Sequence, residues 1–159
     1  MSNQTIELLK SGQLLSVTDG SNAGVILQKT YFAEFVGPGS AIGGMFDIGC
    51  VKIFTLGKVE FNTPITPSDR QQAFQKRIAE IETMQTLCQS DIPLQRSIDL
   101  LQMLCDRFSV DEIRMIPNDV LAKIVGVLPN TIAMAWQQKF NLQSATDLSE
   151  SYEGLAFAT

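Results

Sequence analysis

The side chains of this chain that could do chemistry are few and widely spaced. There is no His among its 159 residues, so no Ser-His-Asp or Cys-His device and no imidazole metal site can be assembled. Cys50, Cys88 and Cys105 are odd in number and contain no CxxC pair. That argues against a disulfide framework and against structural zinc, and leaves them as small apolar residues. Asp106, Asp111 and Glu112 lie near one another but read as a solvated helix end and turn. The glycine-rich stretch 37–44 lacks the G-K-[ST] of a phosphate-cradling loop and opens no helix, so it reads as turn chemistry. No catalytic constellation emerges. The chain is expected not to be an enzyme and to hold neither cofactor nor metal. What remains is recognition chemistry around residues 118–140, where Lys123, Asn130, Thr131, Met134 and Lys139 offer cations and short polar or adaptable side chains.

The elements that must position these residues divide the chain in three. Residues 1–66 read as β-structure, with runs at 24–27, 31–36 and 50–55 bounded by the turn signals Asp19-Gly20, Gly37-Pro38-Gly39 and Leu56-Gly57. Seven of the eleven glycines fall between Gly20 and Gly49, which suits tight turns and opposes helix. At Thr66-Pro67-Ser68-Asp69 the character changes. Thr66 is a natural N-cap, Pro67 fits the first helical position and Asp69 places a carboxylate in the first turn. Residues 67–90 therefore read as a long linking helix. Phe74, Ile78 and Ile81 step along it by four and three toward Cys88, giving one narrow apolar seam. Such a seam can close on its own domain or on a second copy of the chain.

Residues 91–159 read as a third unit. Ser90-Asp91-Ile92-Pro93 opens a helix whose Leu94, Ile98, Leu101, Leu104, Cys105 and Phe108 form one broad face. A β-like piece, 112–116, precedes a short helix capped by Asn118 or Asp119 and ended near Val125 by Gly126 at positive φ. A further helix runs from Pro129-Asn130 to about Phe140, with Ile132, Trp136 and Phe140 on its core side. Two helices about so short a turn make a helix-turn-helix. The tail could add a short edge strand at 154–159.

Ile116 to Ile132, with Leu121-Ala122-Lys123-Ile124-Val125-Gly126 at its centre, resembles the DNA-binding core of the cyclic-AMP receptor protein (Crp/Fnr) family. Residues 67–89 are similar to that family's dimerisation helix and 93–108 to the helix opening its winged domain. Gly37-Pro38-Gly39-Ser40-Ala41-Ile42-Gly43 is similar to its β-roll turn and 50–61 to the last roll strands, so residues 25–159 are covered. The resemblance implies an α+β fold comprising a truncated β-roll, a long dimerisation helix and a helix-turn-helix (winged-helix-like) domain. It implies a homodimer and DNA as partner.

The departures from the family pattern bear on function. Gly43 is followed by Gly44-Met45 where the family has its ligand-binding Glu, residues 46–49 are too few for the rest of the phosphate-binding cassette, and no Arg precedes Arg70. Control by a cyclic nucleotide is therefore not expected. At the start of the recognition helix, the family's S-R-E-T-V-x-R becomes Leu128-Pro129-Asn130-Thr131-Ile132-Ala133-Met134. The base-reading arginines are gone. The charge points the same way: 12 Lys+Arg against 17 Asp+Glu give -5, and residues 91–159 carry 5 basic against 9 acidic side chains, where a nucleic-acid binder is normally basic. Two expectations stand. One is a DNA-binding transcription regulator free of cyclic-nucleotide control; the other is a protein–protein adaptor whose winged-helix domain has lost DNA readout. No apolar run reaches the ~20 residues of a membrane span, and residues 1–5 do not open a signal peptide. The expected location is the cytoplasm.

Overall fold

The computed structural model describes residues 3–20 and 22–141. Among these the fold is α+β: six α-helices and two three-stranded antiparallel sheets. In chain order they are α1 (Asn3–Lys10), β1 (Leu14–Val17), β2 (Ala23–Lys29), β3 (Ala33–Val36), β4 (Ala41–Gly43), β5 (Cys50–Gly57), β6 (Phe61–Asn62), α2 (Pro67–Leu87), α3 (Pro93–Arg107), α4 (Val110–Arg114), α5 (Asn118–Val125) and α6 (Pro129–Asn141). A single 3₁₀ turn, Gly44–Phe46, joins β4 to β5. The edge strand suggested for 154–159 lies outside the described residues.

One sheet has the order β4-β1-β6 and the other β3-β2-β5. The second sheet is a wall between two cores because side chains alternate along a strand. Ala23, Val25 and Leu27 of β2 point into a core with Leu9, Leu15, Val17, Val36, Ile42, Cys50 and Val59. Ile26, between them, points the other way, joining Ala33, Phe35 and Leu56 against Leu100, Leu101, Leu104, Ile113, Leu121 and Ile132 of the helices. The register keeps this in step, pairing Ile26 with Phe35 on one side and Phe54 on the other. The breaks at 66/67 and 90/91 fall close to the ends of α2, yet the helical core includes sheet residues from β2, β3 and β5. Gly24 permits the contact. A Cβ there would lie 2.7 Å from Phe108 Cζ and 2.8 Å from Phe35 Cε2.

Three local expectations need correction. Residues 3–10 form a helix rather than part of an all-β segment, and α1 drops Leu9 into the sheet core. Residues 112–116 are not β-like, for Val110–Arg114 is the helix α4. The cause is a capping box in which the Ser109 hydroxyl accepts from the Glu112 N–H and Glu112 accepts from the Ser109 N–H. α5 has no side-chain cap. Pro117 takes the cap position, leaving Asn118 and Asp119 inside the first turn.

Elsewhere the local signals match the fold. Thr66 and Asp69 form a reciprocal capping box with Pro67 at the first helical position, and Gly126 ends α5 at φ 65°. α5 and α6 are joined through residues 126–128 and cross at 98°. No single described helix is long and apolar enough to cross a membrane.

Candidate functional site

α5 is buried through Val120, Leu121, Ala122 and Val125, and α6 through Ile132, Ala135 and Trp136. Burying α5 in this way holds α6 at the surface with its other face outward. Leu128, just before α6, is 74% exposed and Met134 is 55% exposed; Asn130 is exposed and Thr131 half-buried. Asn130, Met134, Gln137 and Asn141 follow one another by four, three and four residues, which places them in one stripe along the helix. All four are exposed.

Beside that stripe opens a recess of about 730 Å³, lined by Arg114, Asn118, Ala133, Trp136, Gln137, Phe140 and Asn141. Its wall is an aromatic stack, with Trp136 and Phe140 ring centroids 6.0 Å apart at 19°. The Arg114 guanidinium lies 5.0 Å from the Trp136 ring centre and 4.7 Å from that of Phe140. Stacking on an aromatic face orients a guanidinium while leaving its edge donors free for an anion.

The two lysines expected to serve this surface part company. Lys123 is half-exposed on the last turn of α5. Lys139 is only 8% exposed and donates to Gln102 Oε1 at 2.6 Å. It therefore ties α6 to α3 and is no surface cation. Of the expected pair Lys123 stays partly exposed and Lys139 does not, while Arg114 is an exposed cation at the recess that the sequence reading did not include. Arg114 follows Val110 by four residues and buried Ile113 by one, on a helix that the Ser109–Glu112 box marks in the sequence. Arg96 is also committed, donating to the carbonyls of Ser90, Val125 and Gly126 and so closing the C-terminal end of α5.

α2 packs on its own chain through Ala73 and Arg77 and, near its end, Met84 and Leu87. Phe74 is half-buried against Phe46, with ring centroids 5.9 Å apart at 72°. Ile78 is 53% and Ile81 38% exposed. Two adjoining grooves of about 310 and 200 Å³ run along this face and share Glu34 and Ile81.

Beneath the seam is a closed ion cluster. Arg77 Nη1 donates to Asp47 Oδ2 and to the Ala41 carbonyl, both at 3.0 Å, and Nη2 donates to Asp47 Oδ1 and Glu34 Oε2 at 3.1 Å. Lys29 Nζ lies 2.7 Å from Glu34 Oε2 and 3.1 Å from Asp47 Oδ1. The Gly43 N–H donates to Asp47 Oδ2 at 2.7 Å. Burial alone would raise the Asp47 carboxyl, but Arg77, the Gly43 N–H and Lys29 together hold it below the ordinary carboxylate range. Two cations and two carboxylates satisfy each other here, so the cluster fixes α2 to the sheets and offers little to a ligand.

Among the described residues, no group of three or more Cys, Asp or Glu side chains could hold a metal ion. Burial pushes the Cys50, Cys88 and Cys105 thiols up, away from the reactive thiolate. Glu112 is held low by hydrogen bonds from Ser109 and the Gly57 N–H, a structural duty. Compared with known protein families, curated proteins and solved structures, the chain matches none of them.

Proposed function

We propose that this chain is a reduced Crp/Fnr-like transcription regulator, binding duplex DNA through α6 and acting as a homodimer joined along α2. The observation that carries the reading is the division of labour between α5 and α6. The first helix is sunk in the core, and the second, held at 98° by a three-residue turn, presents an exposed polar stripe. A recognition helix needs that disposition to enter a major groove with its N-terminal turns against the bases. On this reading Asn130, Thr131 and Met134 approach base edges, while Lys123 and Arg114 attract phosphates. The two sheets stand for a truncated β-roll. The stripe of half-buried Phe74 and exposed Ile78 and Ile81 supplies the contact between copies, because the helix already uses a neighbouring stripe for its own sheets.

With few cations in place, binding is expected to be weaker than the ~10⁻⁸ M of typical specific regulators and steep in salt. The test is fluorescence anisotropy with the full chain and labelled random duplex over a salt series. Retention that weakens as salt rises supports the reading. An absence of binding at about 50 mM salt, with the protein folded and dimeric, overturns it. That result would favour the adaptor, for which the exposed Leu128 and Met134 offer an apolar contact.

A further inference from the structure

The outer face of α6 carries side chains of one chemical kind, and this names the class of DNA it would read. The inference rests on the reading of α6 as the groove-facing helix. Asn130, Gln137, Gln138 and Asn141 are exposed carboxamides, Met134 is exposed between them, and no Arg, Lys, Asp or Glu stands on this face. Lys139, the one charged residue of the helix, is turned into the protein and bonded to Gln102. Among the described residues, none of these carboxamides makes a hydrogen bond to another side chain, and no fold-stabilising use of them is visible.

Base chemistry then discriminates. Guanine is read by the paired donors of Arg or Lys on O6 and N7, and cytosine by a carboxylate accepting from N4. Neither is present. A carboxamide sets a donor beside an acceptor, which matches the N7 acceptor and N6 donor of adenine, and an apolar side chain suits the thymine methyl. Asn130 and Gln137 are seven residues apart, a rise of about 10.5 Å along the axis. That spans about three base pairs at ~3.4 Å each. Arg114 is held over Trp136 and Phe140 in the recess beside the stripe rather than on it, and is read here as a phosphate contact.

We propose that the DNA half-site read by this protein is A·T-rich over about three consecutive base pairs, with Asn130 and Gln137 on adenine edges and Met134 against a thymine methyl between them. The experiment is selection from a random duplex library with the full-length protein, followed by anisotropy on a selected duplex and on copies with single A·T to G·C replacements. The expected result is enrichment of adenine and thymine at adjacent positions and a roughly 5- to 100-fold loss per replacement at a contacted pair. Asn130→Ala and Gln137→Ala should each abolish the preference at one position, so that the A·T duplex and its G·C replacement there bind alike. Circular dichroism should be unchanged, because both residues are exposed. Selected sites rich in guanine would overturn the proposal, as would an A·T preference surviving in the double variant, which would mark readout of groove shape instead. Failure to retain any duplex is a different failure, and it brings down the underlying reading together with this one.

Discussion

α2 and α6 are both helices with two faces, and they use those faces in opposite ways. α2 turns a charged residue inward, burying Arg77 among Asp47, Glu34 and Lys29, and leaves Ile78 and Ile81 in solvent. α6 buries mainly apolar residues, Ile132, Ala135 and Trp136, with Lys139 as its one inward charge, and keeps carboxamides outside. A stable helix has no intrinsic reason to expose isoleucine while burying a guanidinium, since desolvating the ion costs several kcal/mol unless its partners are in place. On the proposed function, α2 would meet a second apolar surface along its outer stripe and α6 a polar one.

The largest expected effect comes from breaking the inward side of α2. Arg77→Met leaves Asp47 buried with Lys29 as its only ionic partner, and loss of one partner from such a cluster costs about 3–5 kcal/mol. Urea denaturation should show it as a lowered midpoint with little change in slope. A variant as stable as the wild type would mean that the ion cluster adds nothing net and that the α2 contrast is only geometric.

The outer side of α2 comes next. The wild type is expected to be a dimer at micromolar concentration, and Ile78→Asp to dissociate it, because an unpaired carboxylate at a closed seam costs several kcal/mol. Since Ile78 is 53% exposed in the single chain, the variant should remain folded as a monomer by circular dichroism. Light scattering that gives the wild type a monomeric mass would remove the seam from the account.

A finer comparison sets two cations of the α6 region against each other. Arg114→Gln should reduce the salt slope of DNA binding by about 0.9 for one lost phosphate contact while leaving thermal stability nearly unchanged. Lys139→Met should do the converse, because the buried ammonium is tied to Gln102. If Lys139→Met alters the salt slope as much as Arg114→Gln, the structural reading of Lys139 fails.

The smallest effect separates caps. Thr66→Ala removes the capping-box hydroxyl of α2 and should cost about 1 kcal/mol. Asn118→Ala should cost less, since Asn118 caps nothing. Acid adds a graded version of the same contrast. Asp47 and Glu112 are both held below their ordinary values, so the stability they bring is complete above their unfolded pKa values of about 4 and is lost as the pH falls through the lower folded ones. Asp47→Asn and Glu112→Gln should flatten the acid limb of a stability–pH curve, each by its own share.

How much of this was legible depended on distance along the chain. The start of α2 could be read from Thr66, Pro67 and Asp69, and the end of α5 from Gly126, because those signals act within one helical turn. The box at Ser109 and Glu112 was equally local and was overlooked beneath the β-branched look of 112–116. α1 carried no strong terminal signal, and its place depends on Leu9 meeting a core assembled from later strands. The inward turn of Arg77 could not be read, for its partners lie 30 and 43 residues away. Lys139 was misplaced for the same reason, its partner being 37 residues back. The exposed stripe of α6 was visible only as far as Met134, and its continuation through Gln137 and Asn141 needed the helix to be seen whole.

The central sheet has a consequence for how the molecule opens. β2 sends Val25 and Leu27 to one core and Ile26 to the other, so neither core can come apart without dismantling the same strand. Such a party wall makes the two halves thermodynamically inseparable. The amide hydrogens of residues 25–27 should exchange with solvent only through global unfolding, at one common protection factor, and heat should melt sheets and helices in a single step whichever half is probed.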